Sequence, residues 1–426
     1  MKQKKLKASL VANGLIYLPG SKSITNRLLL MSALSNGETL IQNYLESDDT
    51  LQMLNALKKL KIEFKIIEQK DILIKGCNHS FRNKNAELSL GNAGTAFRPL
   101  TAVLAIMGGT YKLKGIDRMH ERPIKDLVDA LIQTGAKIDY TGNPGYPPLK
   151  IYPGNIKCNK NITIKGNISS QYLTAFLIAG PLCNQDLKIE IIGDLISKPY
   201  IDITLKLLSQ FGIEYKNNNW KKFILNSSSK FQSPKRIKVE GDASSASYFF
   251  AAGAIAGSVE VNNINKSSIQ GDLEFLNIIK KMGAKIEYLP NSIKVSKGKK
   301  LTGMTINCIN IPDAAMTLAV LALFAKGVTT LKSIASWRVK ETDRILAMET
   351  ELKKLGAHVA TTLSSITITP PKIINNNIAI NTYDDHRMAM CFSLVCLSNT
   401  NIVINNPECT NKTYPNFFKD FGDIIE

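Results

Sequence analysis

Residues 275–288 read FLNIIKKMGAKIEY, and residues 127–140 read LVDALIQTGAKIDY. In both, apolar residues recur at i, i+3 and i+4, a glycine follows, and a short β-prone run comes next. That spacing predicts an amphipathic helix closed by a glycine able to take φ > 0, then a strand. Residues 348–360, METELKKLGAHVA, repeat the pattern. Weaker copies are Leu51–Ile66, with Lys61 in the glycine position, Ile203–Tyr215 and Phe417–Ile425.

A second helical pattern alternates with the first. A small or polar starter leads an apolar helical stretch, then a turn and a strand. The copies are Ser23–Gly37, Gly94–Gly108, Ser169–Gly180, Ser244–Gly257, Asp313–Gly327 and Asp384–Asn399, and their ends are spaced by 70–77 residues. Six such units at a steady period imply an internal repeat. Each holds two helices and several strands, so the units divide as three and three, with a boundary near residue 240 and two similar α/β domains. The strand Leu15–Pro19 precedes the first unit and is open to either half. The starters are N-cap residue types. A helix start offers unpaired N–H groups and partial positive charge, so convergent starts suit an anion.

Composition narrows the function. The 426 residues are 44% hydrophobic and 21% charged, an ordinary globular balance. The longest apolar runs, such as Met316–Ala325 and Met388–Leu397, are about ten residues, short of the about 18 that a bilayer span needs. No signal-peptide pattern follows the basic Met1-Lys-Gln-Lys-Lys start, so a cytoplasmic protein is expected. The seven cysteines form no C-x-x-C pair and do not suggest a disulfide framework, and the four histidines lack zinc spacing. Net charge is +19, which raises the question of nucleic acid. Only nine of the cations are Arg, however, and seven of these fall inside the motifs below. Aromatics are 7% and avoid the basic motifs apart from Trp337. That argues for a small anionic ligand over a nucleic acid.

The motifs follow in chain order. Leu18-Pro-Gly-Ser-Lys-Ser-Ile-Thr-Asn-Arg27 places Lys22, Ser23 and Arg27 around a helix start, without Walker A spacing. Leu90-Gly-Asn-Ala-Gly-Thr-Ala-Phe-Arg-Pro-Leu100 has two glycines that allow close approach of a ligand to backbone, Gly94 among them. Asp117-Arg-Met-His-Glu-Arg-Pro-Ile124 brings Arg122 before a helix expected to start at Pro123. Gly166-Asn-Ile-Ser-Ser-Gln171 offers Ser169, Ser170 and Gln171 at another helix start, and Ser197-Lys-Pro-Tyr200 adds a hydroxyl and a phenol. Pro312-Asp-Ala-Ala315 puts Asp313 at the head of an apolar helix, where capping is its plainer job. Ser336-Trp-Arg-Val-Lys-Glu-Thr-Asp-Arg344 packs three cations and two carboxylates into nine residues. Tyr383-Asp-Asp-His-Arg387 and Lys412 complete the set.

Taken in this order, the motifs resemble those of the 5-enolpyruvylshikimate-3-phosphate synthases, from about residue 15 to about residue 418. The resemblance implies two similar domains, each of three βαβαββ units, in the enolpyruvyl transferase-like inside-out α/β barrel. It implies that the chain crosses twice, giving 1–20 plus 241–426 and 21–240, with the active site in the interdomain cleft. It implies transfer of the enolpyruvyl group of phosphoenolpyruvate to the 5-hydroxyl of shikimate 3-phosphate, with no metal and no cofactor, in a monomer that glyphosate inhibits. By the same resemblance, Lys22, Ser23, Arg27, Ser169, Ser170, Gln171, Ser197, Tyr200, Asp313, Ser336 and Lys340 contact shikimate 3-phosphate. Lys22, Gly94, Arg122, Gln171, Arg344, Arg387 and Lys412 contact phosphoenolpyruvate. Asp313 and Glu341, with Lys22, are the catalytic residues: Asp313 accepts the hydroxyl proton and Glu341 protonates the methylene carbon. Ser336 stands where the family often has Asn. Two alternatives are a UDP-N-acetylglucosamine enolpyruvyl transferase, which would carry a reactive Cys that Asp117–Pro123 lacks, and a basic RNA-binding protein. The small-molecule reading expects no specific nucleic acid and no membrane partner.

Overall fold

The computed structural model describes residues 2–68, 70–158, 161–183 and 185–425. The chain forms two compact units, one of Met1–Pro19 with Glu240–Glu426 and one of Gly20–Val239. We call them the discontinuous and the continuous unit. No helix among the described residues is long and apolar enough to cross a membrane.

Each unit holds three small sheets, one per sequence repeat. The second repeat shows the plan. Strand Asn85–Ser89 leads into helix Gly94–Met107 and then to the parallel strand Thr110–Lys114. Helix Lys125–Gln133 follows, and strands Lys137–Tyr140 and Leu149–Tyr152 close the sheet antiparallel. The helix expected from Pro123 thus starts two residues later, and Asp117–His120 makes one helical turn of its own.

The two helix types differ as their sequences require. The first helices are buried nearly all round: Ala243–Ala256 buries every residue but Ala256, and Lys22–Leu34 every residue but Ser23, its polar first turns included. The second helices are amphipathic. Glu274–Met282 buries Phe275, Leu276, Ile278, Ile279 and Met282 and turns its lysines outward. Strands alternate in the same sense, as in Leu187–Ile192, where Leu187, Ile189 and Ile191 point inward. The glycines that end the second helices do take φ > 0: +87° at Gly135, +126° at Gly283 and +91° at Gly356. Lys61 takes that place in the first repeat with φ +64°.

Three repeats borrow a strand from a distant part of the chain. Ala12–Tyr17 runs parallel to Gly257–Asn262, so the early strand belongs to the discontinuous unit and opens the fourth repeat. Arg236–Lys238 runs parallel to Glu38–Gln42 and opens the first. The sixth repeat is shorter than the βαβαββ plan. Its sheet holds Ile378–Ile380 and Ile402–Asn405, and the N-terminal Gln3–Leu6 supplies the antiparallel third strand.

One covalent feature was not legible in the sequence. Cys158 and Cys183 form a disulfide, although the count and spacing of cysteines gave no sign of pairing. The other five are free, and all but Cys77 are buried.

Candidate active site

In the discontinuous unit the charged motifs converge on Arg344. This residue opens helix Arg344–Lys354, which Asp343 caps by accepting from the Ile345 and Leu346 N–H groups. The side chain is 1% exposed and reaches three carboxylates. Its Nε donates to Asp385 Oδ2 at 2.7 Å, Nη1 to Asp313 Oδ1 at 2.9 Å and Nη2 to Glu341 Oε2 at 2.8 Å. Burial alone would lower its pKa, but Asp385, Glu341 and Asp313 push it above its ordinary value.

Asp313 is held from two further sides. Arg387 Nη2 donates to Asp313 Oδ2 at 3.0 Å, and Lys340 Nζ stands 3.8 Å from Oδ1. Burial would raise the Asp313 pKa, yet Arg387, Lys340 and Arg344 hold the carboxyl well below the usual range. The following helix, Ala315–Leu321, has Ala314 at its N-cap, and the Asp313 carboxylate receives the two guanidinium groups. Trp337 is fully buried, and its Nε1 donates to the Pro312 carbonyl at 2.6 Å, which fixes the residue before Asp313.

The dense nine-residue motif divides between two tasks. Lys340, Glu341 and Arg344 face Asp313, as above. Arg338 turns away to Asp343 at 2.8 Å and to the Leu363 and Thr362 carbonyls. Ser336 lies half-buried in the one-turn helix Ala335–Val339, and Lys412 is buried at the end of Pro407–Lys412.

Sequence reasoning passed over two carboxylates of this cluster. Asp385 is fully buried, binds Arg344 and caps helix His386–Ser393 by accepting from the Arg387 N–H at 2.9 Å. Its motif was singled out, but the two adjacent aspartates gave no means of choosing between them. Asp272 is buried and accepts from the Ser244 hydroxyl. Burial and the charge of Asp313 push its pKa up to about 7 against the Ser244 hydrogen bond.

The continuous unit gathers the other motif residues. Arg27 is 6% exposed on helix Lys22–Leu34. It donates to the Ser23 carbonyl at 2.8 Å, Thr204 Oγ1 at 2.9 Å, the Tyr200 carbonyl at 3.2 Å and Thr174 Oγ1 at 3.4 Å. These acceptors are all neutral, and burial lowers its pKa to about 10. Lys22, the first residue of the same helix, lies 3.3 Å from Asp49 Oδ2. A cation at a helix start opposes the dipole, so this pairing and any arriving anion both favour it.

Gly94 opens helix Gly94–Met107 beside two guanidinium groups. An added Cβ would stand 3.0 Å from Arg122 Nη2, 3.0 Å from Arg98 Nη1 and 3.2 Å from Gln171 Oε1. Arg122 donates to Asn92 Oδ1 at 2.9 Å, and Arg98 to the Pro123 carbonyl at 3.3 Å. Gly94, Arg122 and Gln171 are therefore neighbours, and Arg98 joins them. Ser169 caps helix Ser170–Ala179 by accepting from the Gln171 N–H at 3.2 Å. Ser197, at φ +54°, precedes helix Lys198–Gln210, which carries Tyr200. The structure thus brings Ser23 and Tyr200 to Arg27, and Gln171 to Gly94 and Arg122.

The model of the family described as EPSP synthase (3-phosphoshikimate 1-carboxyvinyltransferase) matches residues 7–421. The chain belongs to the EPSP synthase family. A 3-phosphoshikimate 1-carboxyvinyltransferase of Cupriavidus necator is 52% identical over 422 residues, covering 97% of each chain. One of Neisseria meningitidis is 50% identical over 425 residues, covering 99% of this chain and 97% of its own. An EPSP synthase structure from Acinetobacter baumannii superposes with a TM-score of 0.83 at 26% identity, covering 100% of this chain and 98% of the other. The fold extends further, to an enolpyruvyl transferase of Streptomyces tendae, with a TM-score of 0.76 at 13% identity over 99% of this chain and 96% of the other. The likeness to the EPSP synthase structure covers the whole chain, so all six sheets fall within it.

Proposed function

We propose that the chain transfers the enolpyruvyl group of phosphoenolpyruvate to the 5-hydroxyl of shikimate 3-phosphate, releasing inorganic phosphate. The observation that carries the mechanism is the buried cluster around Asp313. Its carboxylate is kept ionised by Arg387, Lys340 and Arg344, and it can take a proton once the anionic groups of the substrates draw those cations away. Arg27, buried among neutral oxygens, is the fitting counter-charge for a phosphate.

In this reading, Lys22, Ser23, Arg27, Ser169, Ser170, Gln171, Ser197, Tyr200, Ser336 and Lys340 hold shikimate 3-phosphate. Lys22, Gly94, Arg122, Gln171, Arg344, Arg387 and Lys412 hold phosphoenolpyruvate. The 5-hydroxyl oxygen adds to C2 of phosphoenolpyruvate, its proton passes to Asp313, and Glu341 delivers a proton to the C3 methylene. The product of addition is a tetrahedral ketal with a methyl group. The bond from C2 to the phosphate oxygen then breaks, a methyl proton leaves to Glu341, and the double bond re-forms.

Arg344 ties Glu341 to the phosphoenolpyruvate-binding groups: Glu341 Oε2 accepts from Arg344 Nη2 at 2.8 Å, so the guanidinium that would bind the substrate also holds the acid beside it.

The test is phosphate release with each substrate alone and with both. Release is expected only with both, and Asp313→Asn should lower turnover by roughly 10²-fold or more. Turnover with UDP-N-acetylglucosamine in place of shikimate 3-phosphate would overturn the assignment.

A further inference from the structure

Glu351 lies seven residues beyond Arg344 on helix Arg344–Lys354, two turns along the same face. No step described above uses it, yet its side chain is fully buried and fully engaged. The carboxylate accepts from Lys354 Nζ at 2.8 and 2.7 Å, from the Asn381 N–H at 3.1 Å and from the Tyr383 hydroxyl at 2.7 Å. Two of these four bonds come from the segment leading to Asp385.

That segment is strained. Tyr383 and Asp384 are consecutive non-glycine residues in the left-handed region, at φ +53° and +56°. Such backbone persists only where its surroundings over-determine it. Asp385 follows at once and holds Arg344 Nε and the first turn of the helix that bears Arg387. One helix therefore grips both ends of the segment. Arg344 takes Asp385, and Glu351 takes Asn381 and Tyr383.

We infer that Glu351 is a positioning residue for phosphoenolpyruvate binding. Through Tyr383 it holds the left-handed pair in place, and so fixes Asp385 and the directions of the Arg344 and Arg387 guanidinium groups. The inference rests on the proposed role of Arg344 and Arg387 in binding phosphoenolpyruvate. A misplacement of about 1 Å in such groups is costly even when the change is remote. A buried ion pair serving stability alone would behave differently. Its loss would lower Tm and the active fraction while the surviving enzyme kept its KM values.

The test uses the full chain with Glu351→Gln, Tyr383→Phe and, as a reference, Arg344→Lys. Steady-state rates give kcat and the KM for each substrate at saturation of the other, and melting gives Tm. Glu351→Gln is expected to raise KM for phosphoenolpyruvate by about 3- to 30-fold and to leave that for shikimate 3-phosphate within about twofold. Tyr383→Phe keeps the Glu351–Lys354 pair and should shift the same constant in the same direction, by less. It carries the test if Glu351→Gln does not fold. Equal shifts in both KM values, or a lower Tm with KM for phosphoenolpyruvate unchanged, would overturn the inference while Arg344→Lys still raises that constant. If Arg344→Lys leaves it unchanged, the site reading fails and this inference falls with it.

Discussion

Arg27 carries its charge on a buried side chain, and its four acceptors are neutral. Hydrogen bonds offset part of the desolvation cost, but the lowered pKa of about 10 shows that burial outweighs them. Below that pH the folded state holds a cation that the unfolded chain would solvate better. Arg27→Gln should therefore leave Tm without ligand unchanged or higher. The same change should raise KM for shikimate 3-phosphate roughly 10- to 150-fold, the weight of one charge-assisted hydrogen-bonding group. Melting and rate curves on the one variant check both, and a lower Tm with unchanged KM would make Arg27 a structural residue. Asp272 gives a pH signature of the opposite kind. Its pKa, raised to about 7, means that the folded state binds a proton that the unfolded chain releases near pH 4. Stability should then fall as pH rises from about 4 to about 7 and level off above. Asp272→Asn removes that term, so its Tm should gain on wild type between pH 5 and pH 8, and parallel Tm curves would contradict the assignment. Residues such as Lys22, Arg27 and Arg344 were legible because cations clustered in short motifs are conspicuous. Asp272 and Glu351 were not, because a lone carboxylate reads as a cap or a solvated charge until its partners are known, and Asp385 was not, because it stands beside Asp384 in its motif.

At the scale of elements, the glycine that closes each second helix is the most local rule in the chain. Gly135 sits at φ +87°, and an added Cβ would meet the Asn155 carbonyl oxygen. Gly135→Ala should cost at least about 1 kcal/mol for the left-handed backbone before that clash is counted. Lys61 occupies the equivalent place with φ +64°. Lys61→Gly should relieve its strain and stabilise by up to about 1 kcal/mol, less whatever is lost to the freer unfolded chain. Denaturant melts of the two variants should thus move in opposite directions, and movement in the same direction would break the equivalence of the repeats. The buried and amphipathic helices were legible because their patterns lie within a dozen residues. The partners of the strands were not. Ala12–Tyr17 pairs with Gly257–Asn262, and nothing in an edge strand's own alternation names a partner some 245 residues away. The Cys158–Cys183 bond escaped for the same reason, since it depends on the fold that brings the two together.

For the molecule as a whole, the charged residues are placed by six copies of one small plan, and the chemistry comes from what stands at the helix starts. Asp313, Arg344, Asp385 and Arg387 all lie within two residues of the start of a helix. The net charge of +19 is carried mostly by lysine, whereas the buried cations around Asp313 are chiefly arginine. In the proposed mechanism Glu341 passes a proton to the methylene carbon and takes one back. Addition in D2O makes a rotating CH2D group, and each reversal that removes a protium from it leaves deuterium on C3 of phosphoenolpyruvate. The most direct measurement is therefore solvent-deuterium entry into phosphoenolpyruvate and product, followed by mass spectrometry. Entry is expected only when shikimate 3-phosphate is present, and is expected to be lost in Glu341→Gln. Product formed at the normal rate with no deuterium at C3, or exchange unaffected by Glu341→Gln, would contradict it.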